Sequence, residues 1–138
     1  MSSIDYTITF DGGSRNNGSQ VAEAYGSYHI QARDGRERTT RLQFPTGSTN
    51  NEAEYQSLIA SLEDLVGVIK AAGKSPNCYA VTVTGDSQVV INQVTGRWKV
   101  KAPNLVPLYQ QAQELLAQFG SVTVTWQPRQ KSLAILGH

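Results

Sequence analysis

Two β-branched runs, Tyr6-Thr7-Ile8-Thr9-Phe10 and Cys78-Tyr79-Ala80-Val81-Thr82-Val83-Thr84, lead into acids set beside small residues, Asp11-Gly12-Gly13 and Gly85-Asp86-Ser87. The composition of each run predicts a strand of a sheet. Between them Tyr55, Leu58, Ile59, Leu62, Leu65, Val66 and Ile69 recur at helical spacing and mark a buried helix face. A helix joining two strands returns the chain parallel to the first, so Asp11 and Asp86 are expected to emerge side by side at one end of a sheet. No other feature limits the fold as strongly.

Each acid also has a purely structural reading. Asp11 either opens an Asp-Gly turn or offers a ligand to a metal or phosphate. The helix expected over Gln88–Val94 takes Asp86 or Ser87 as its cap, and capping alone accounts for an acid there. Thr49-x-x-Glu52 matches a capping box, which gives Glu52 a structural task. Glu54 stands just before the apolar stripe, at the edge of the face turned toward the sheet, where a carboxylate is expected to need a cation partner. The helix can bring Glu54 between Asp11 and Asp86. Three carboxylates in one place repel unless they share cations, and oxygen-seeking Mg²⁺ is the natural candidate.

The remaining segments fit one α/β unit. The glycines after Asp11 are expected to end the first strand, and residues 12–20 read as a loop with Arg15 at its edge. Strand-like runs over 24–32 and 37–44 flank Arg33-Asp34-Gly35-Arg36, a hairpin signal, so the first third predicts a three-stranded antiparallel meander. His29, within the second strand, is assigned a surface or packing role. A second amphipathic helix is expected over 105–119 and a last strand over Ser121–Trp126. Arg97, Lys99 and Lys101 surround Trp98, which suits phosphate contact and base packing, or equally a solvated loop with one packed tryptophan. Cys78 is the only cysteine; it excludes an internal disulfide and a multi-cysteine zinc site and reads as a small core residue. With 138 residues, 17% charged and a net charge of +1, the chain is expected to be a single domain over 1–138. It lacks a membrane-length apolar run and the marks of a signal peptide, so a cytoplasmic monomer is the default expectation.

The segments Phe10-Asp11-Gly12-Gly13-Ser14, Thr49-Asn50-Asn51-Glu52-Ala53-Glu54-Tyr55 and Gly85-Asp86-Ser87-Gln88-Val89-Val90 together resemble type 1 ribonuclease H. Gly96-Arg97-Trp98-Lys99-Val100-Lys101 gives supporting context, and the segments in this order cover nearly the whole chain. The resemblance implies an α/β, ribonuclease H-like fold, a five-stranded mixed sheet ordered 3-2-1-4-5 and flanked by helices. It implies hydrolysis of the RNA strand of an RNA/DNA hybrid by two-metal-ion catalysis with Mg²⁺, or Mn²⁺ as a substitute, leaving 5′-phosphate and 3′-hydroxyl ends. Asp11, Glu54 and Asp86 match the metal-binding and catalytic acids, which favours Glu54 over Glu52. By the same matching the backbone of Gly12, Gly13 and Ser14 approaches the RNA, with Asn16 in the loop beyond. Asn50, Asn51 and Gln88 contact the hybrid, Thr49 helps hold a DNA phosphate, and Arg97, Trp98 and Lys99 add nucleic-acid contacts. The hybrid duplex is the partner implied, with no obligate protein partner.

The pattern departs at the C-terminus. Compact members close with Pro-Arg-x-x-Asn-x-x-Ala-Asp, whose last Asp is a fourth metal-site acid. Here Ser132 stands for the Asn and Leu136 for the Asp, and the usual final helix is expected to be missing or much shortened. The long basic handle of some members is absent as well. Three readings stay open: an altered C-terminus that impairs the enzyme, a substitute ligand from His138 or the terminal carboxylate, or a noncatalytic hybrid-binding module. Weakened metal binding with reduced activity is the expectation.

Overall fold

In the computed structural model, residues 4–15, 23–45 and 47–137 are described. Asn16 and His138, two expected site residues, lie outside them. The strands β1 (Tyr6–Arg15), β2 (Glu23–Ala32) and β3 (Glu37–Phe44) form the antiparallel meander. Helix α1 (Asn50–Ala71) follows, then a short 3₁₀ turn (Pro76–Cys78), β4 (Ala80–Gly85), α2 (Gln88–Val94), α3 (Val106–Leu116), β5 (Ser121–Trp126) and α4 (Arg129–Leu136). The sheet order is β3-β2-β1-β4-β5, with β4 parallel to both β1 and β5. The expected fold class is the one observed.

Strand periodicity sorts the sheet into two chemically different faces. Ile8, Phe10, Val81 and Val83 are fully buried and form one core with Tyr55, Leu58, Leu62, Leu65 and Ile69 of α1. The alternate residues of the same strands are polar, and Thr9 Oγ1 lies 3.0 Å from Thr84 Oγ1. Thr49 caps α1 as expected: its hydroxyl accepts from the Glu52 N–H at 3.2 Å, and Glu52 Oε1 accepts from the Thr49 N–H at 2.8 Å. His29 is buried, with Nε2 3.4 Å from Glu37 Oε1, in agreement with a packing role.

Several local expectations need correction. The glycines after Asp11 do not end β1, whose pairing with β2 runs on through Gly12↔Gly26, Gly13↔Tyr25, Ser14↔Ala24 and Arg15↔Glu23. They are there for close packing. A Cβ on Gly12 would lie 2.6 Å from the carbonyl carbon and oxygen of Ala53, and one on Gly26 would lie 1.9 Å from Ser57 Oγ. Helix α1 therefore rests directly on the glycine backbones of two strands. Cys78 is exposed rather than buried, because it belongs to the 3₁₀ turn ahead of β4 while Pro76 turns inward. Helix α3 begins one residue after Leu105 and ends at Leu116, shorter than its apolar pattern suggests.

The final helix is present, shortened to two turns. It lies against β1 and β2, with Gly137 in the left-handed conformation as its C-cap and Arg41 Nη2 of β3 donating to the Leu136 carbonyl at 3.2 Å. Leu136 is 1% exposed. Leu136→Ala is expected to destabilise the protein by about 2–4 kcal/mol, read as a lower urea midpoint. A midpoint equal to wild type would mean that this side chain is not part of the packed interior.

Candidate active site

The ladder between β1 and β4 ends at Phe10↔Gly85, whereas β1 continues for five residues beside β2. Asp11 and Asp86 are the first residues beyond that last parallel pair. Their side chains enter the space where the two strands part. Glu54 arrives from the start of α1, placed by the capping box beneath it and by the glycine contact at Gly12. Ser87 caps α2, its Oγ accepting from the Val90 N–H at 3.2 Å, so Asp86 is left without a capping task. Behind it the Trp126 indole N–H donates to the Asp86 carbonyl at 3.1 Å, and the Gln127 N–H donates to the Gly85 carbonyl at 2.8 Å.

Asp11, Glu54 and Asp86 each present an oxygen within 4.8 Å of the other two. Asp11 is 3% exposed, Glu54 7%, and the Asp86 side chain 8%. Asp11 Oδ1, Glu54 Oε2 and Asp86 Oδ2 are all buried without a hydrogen-bond partner. Burial pushes the Glu54 carboxyl well above its ordinary value, and the charges of Asp11 and Asp86 push it the same way; the Gly12 backbone N–H opposes them. Asp86 is raised too, by burial first and then by Asp11, with Arg129 acting in the opposite direction.

Among the described residues no lysine or arginine is paired with Glu54, which leaves its expected cation to the space shared with Asp11 and Asp86. The nearest positive group belongs to Asp86 instead, with Arg129 Nη1 3.7 Å from Asp86 Oδ2, an ion pair beyond hydrogen-bond reach. A buried all-oxygen cluster with orphaned lone pairs has the donor chemistry of a hard divalent cation. The residues present therefore fit such an ion.

Around the acids Gly12, Gly13, Asn50, Asn51, Glu54, Asp86, Ser87 and Gln88 line a groove of about 390 Å³. Ser14 is tied to its rim, its backbone N–H donating to Asn50 Oδ1 at 2.6 Å. Thr49 stays in its capping role at the head of α1. Arg97, Trp98 and Lys99 are not brought to the groove. They follow the far end of α2, a helix about 10 Å long, and Trp98 and Lys99 border a separate cavity with Tyr109. Tyr25, Trp126 and Arg129 complete the groove wall and were not singled out as site residues from sequence. The signal for them was register: Tyr25 pairs with Gly13, and Trp126 pairs with the residue before Asp86.

A model of the reverse transcriptase-like family matches residues 10–134. Among solved structures, the N-terminal RNase H domain of Rv2228c from Mycobacterium tuberculosis superposes with a TM-score of 0.79 at 34% identity, covering 94% of this chain and 91% of that one. The chain belongs to the ribonuclease H family. RNase H1 of Halobacterium salinarum is similar at a TM-score of 0.75 and 31% identity, covering 92% of this chain and 88% of that one. LC11-RNase H1, isolated from compost and solved in complex with an RNA/DNA hybrid, is similar at 0.78 and 25%, covering 94% and 90%. In sequence, the bifunctional protein Rv2228c is 39% identical over 127 residues, which are 91% of this chain and 32% of that protein. This ribonuclease H domain thus spans about a third of the length of the curated relatives it matches.

In this domain the glycine seat of α1 bears directly on the acids. Gly12→Ala would drive a methyl group into Ala53 and to 2.7 Å from the Glu54 nitrogen, backbone that no rotamer change can clear. The variant is expected to lose most divalent-ion affinity, measured by calorimetry, together with 1–3 kcal/mol or so of stability from overpacking. Unchanged ion affinity in Gly12→Ala would show that Glu54 does not depend on this contact.

Proposed function

We propose that this chain is an endoribonuclease that hydrolyses the RNA strand of RNA/DNA hybrids, with Asp11, Glu54 and Asp86 holding the catalytic divalent ions. The observation that carries the reading is the buried cluster of three carboxylates with orphaned oxygens at the parting of β1 and β4. Mg²⁺ or Mn²⁺ bound there supplies Lewis-acid stabilisation of the phosphoryl oxygens and lowers the pKa of a water.

The chain's own residues do the rest. Asp11, the most buried acid, lies beneath the groove and joins the other two. Burial and the charges of Asp11 and Asp86 raise the Glu54 carboxyl, and a cation held between the three acids would act in the opposite direction. Arg129 draws the Asp86 carboxylate toward the groove wall. Asn50 and Asn51 at the head of α1 and Gln88 at the head of α2 offer amides to the hybrid, and the backbone of Gly12 and Gly13, whose Cβ space is taken by α1 and Tyr25, borders the groove on the RNA side. Here 2′-hydroxyl groups distinguish RNA from DNA. Arg97 and Lys99 add phosphate contacts one helix length away, with Trp98 packing beside them.

Leu136 stands where compact members carry a fourth acid. With three acids the site holds its ions more weakly than a fourth carboxylate would allow. The products are 5′-phosphate and 3′-hydroxyl ends, and the domain acts as a cytoplasmic monomer. No helix of the described residues is long and apolar enough to cross a membrane.

The test is gel analysis of an end-labelled hybrid, an RNA duplex and a DNA duplex incubated with Mg²⁺, Mn²⁺ or EDTA. Cleavage of the hybrid's RNA strand alone, abolished by EDTA, is expected. Binding of the hybrid without cleavage in either metal would make the domain a noncatalytic hybrid-binding module.

A further inference from the structure

We infer that Tyr25 and Trp126 are the two aromatic walls of the substrate track, packing against the nucleotides on either side of the phosphate held at the acids. This rests on the hybrid-cleaving reading above and extends it to residues outside the family motifs discussed so far.

Aromatic side chains that line a polar cleft supply the apolar part of a ligand's contact. Tyr25 is 39% exposed and Trp126 43%, and both line the acidic groove. They stand on opposite sides of the acids. Crossing the sheet, Tyr25 belongs to β2, Asp11 to β1, Asp86 follows β4, and Trp126 ends β5. Three interstrand spacings, about 14 Å, separate the backbones of the strands that carry Tyr25 and Trp126.

The indole is held by a hydrogen bond, and the phenol is seated over a glycine. The Trp126 N–H is fixed on the Asp86 carbonyl, which turns the indole into a brace for the acid and a platform for a ligand. Tyr25 lies over Gly13, where a Cβ would come within 2.6 Å of the phenol oxygen, so a side chain at 13 would shift the ring's tip. Fixed aromatic rings bind nucleotides with little loss of rotamer freedom, and their π-faces accept any base. Apart from Gly12 and Gly13, the other groove residues are all polar, among them Asn50, Asn51, Ser87, Gln88 and Arg129, so these rings supply its apolar side-chain contact.

The experiment uses the chain's two tryptophans. In an Asp11→Asn, Trp98→Phe variant, Trp126 is the sole indole emitter and the hybrid stays uncut. Titration with a short hybrid is followed by tryptophan emission and, in parallel, by anisotropy of a labelled hybrid. Quenching of Trp126 along the anisotropy curve is expected. In the Asp11→Asn background, Trp126→Leu and Tyr25→Leu are each expected to weaken hybrid binding roughly 5- to 100-fold, while Trp126→Phe, which keeps a ring but loses the N–H, retains most of it. Hybrid binding with unmoved Trp126 emission, or with full affinity in both leucine variants, overturns the inference and leaves the ribonuclease H reading standing. Failure of the wild-type chain to bind hybrid at all overturns that reading, and this inference with it.

Discussion

Asp11→Asn is expected to reduce hybrid cleavage by about 10³-fold or more while leaving the fold intact. The amide is isosteric with the carboxylate, so the packing of β1 against β2 need not change. What changes is charge. Asp11 sits among the three acids with one orphaned oxygen, and removing its charge withdraws several kcal/mol of electrostatic stabilisation from any cation bound there. An Asn in its place can instead donate to the two remaining carboxylates, so the metal-free variant should melt at or above the wild-type temperature. Single-turnover cleavage and a thermal melt in EDTA check both halves. Wild-type cleavage by Asp11→Asn would remove the three acids from the mechanism.

Glu54→Gln gives the second large effect, with opposite signs for stability and activity. In the metal-free protein the folded-state value of Glu54 lies well above its ordinary 4.5, chiefly because it is buried. Below the ordinary value both folded and unfolded chains hold the proton, and nothing is lost. As pH rises past it, the unfolded chain ionises first while the folded chain keeps its proton, so stability falls until pH passes the raised value. Asp86, raised from 3.8 mainly by burial, adds a fall of the same sign.

Metal-free wild type is therefore expected to lose melting temperature from the ordinary carboxylate range upward, and Glu54→Gln to flatten that slope. At neutral pH the variant should melt several degrees higher in EDTA, since 1 kcal/mol corresponds to roughly 3–5 °C for a chain of this size. Mg²⁺ should reverse the ranking. Saturation at a hundredfold excess over the dissociation constant adds about 2.7 kcal/mol to a protein that binds the ion and nothing to one that does not. Cleavage by Glu54→Gln should fall to background. A wild-type melting temperature in EDTA that rises with pH over this range would contradict the assignment.

The fold was legible because its constraints are periodic. The stripe from Tyr55 to Ile69 and the two β-branched runs identify a parallel crossover without reference to any contact, and the site follows from where those strands end. What sequence hid were features whose cause lies on a neighbouring element. Gly12 and Gly13 look like a turn because turn glycines and packing glycines are identical in one dimension; only the arrival of α1 on Gly12 and of Tyr25 on Gly13 separates them. Cys78 was assigned to the core by type, yet the 3₁₀ turn rotates it outward. Arg129 stands beside Asp86 because α4 brings it there, a pairing between residues far apart in sequence that neither one's neighbours announce. Tyr25 and Trp126 carry no local signal at all, since pairing register alone brings them to the groove.

The two glycines under α1 also set how this chain can change over generations. Every residue that a mutation can place at Gly12 or Gly26 carries a Cβ, and at both sites the space for that atom is already taken by Ala53 or Ser57. The acids, by contrast, can be replaced by their amides with the fold preserved and only chemistry lost. A drifting lineage would therefore shed its acids before its glycines, and a copy that had given up catalysis would still be recognisable by the two positions where it has no side chain.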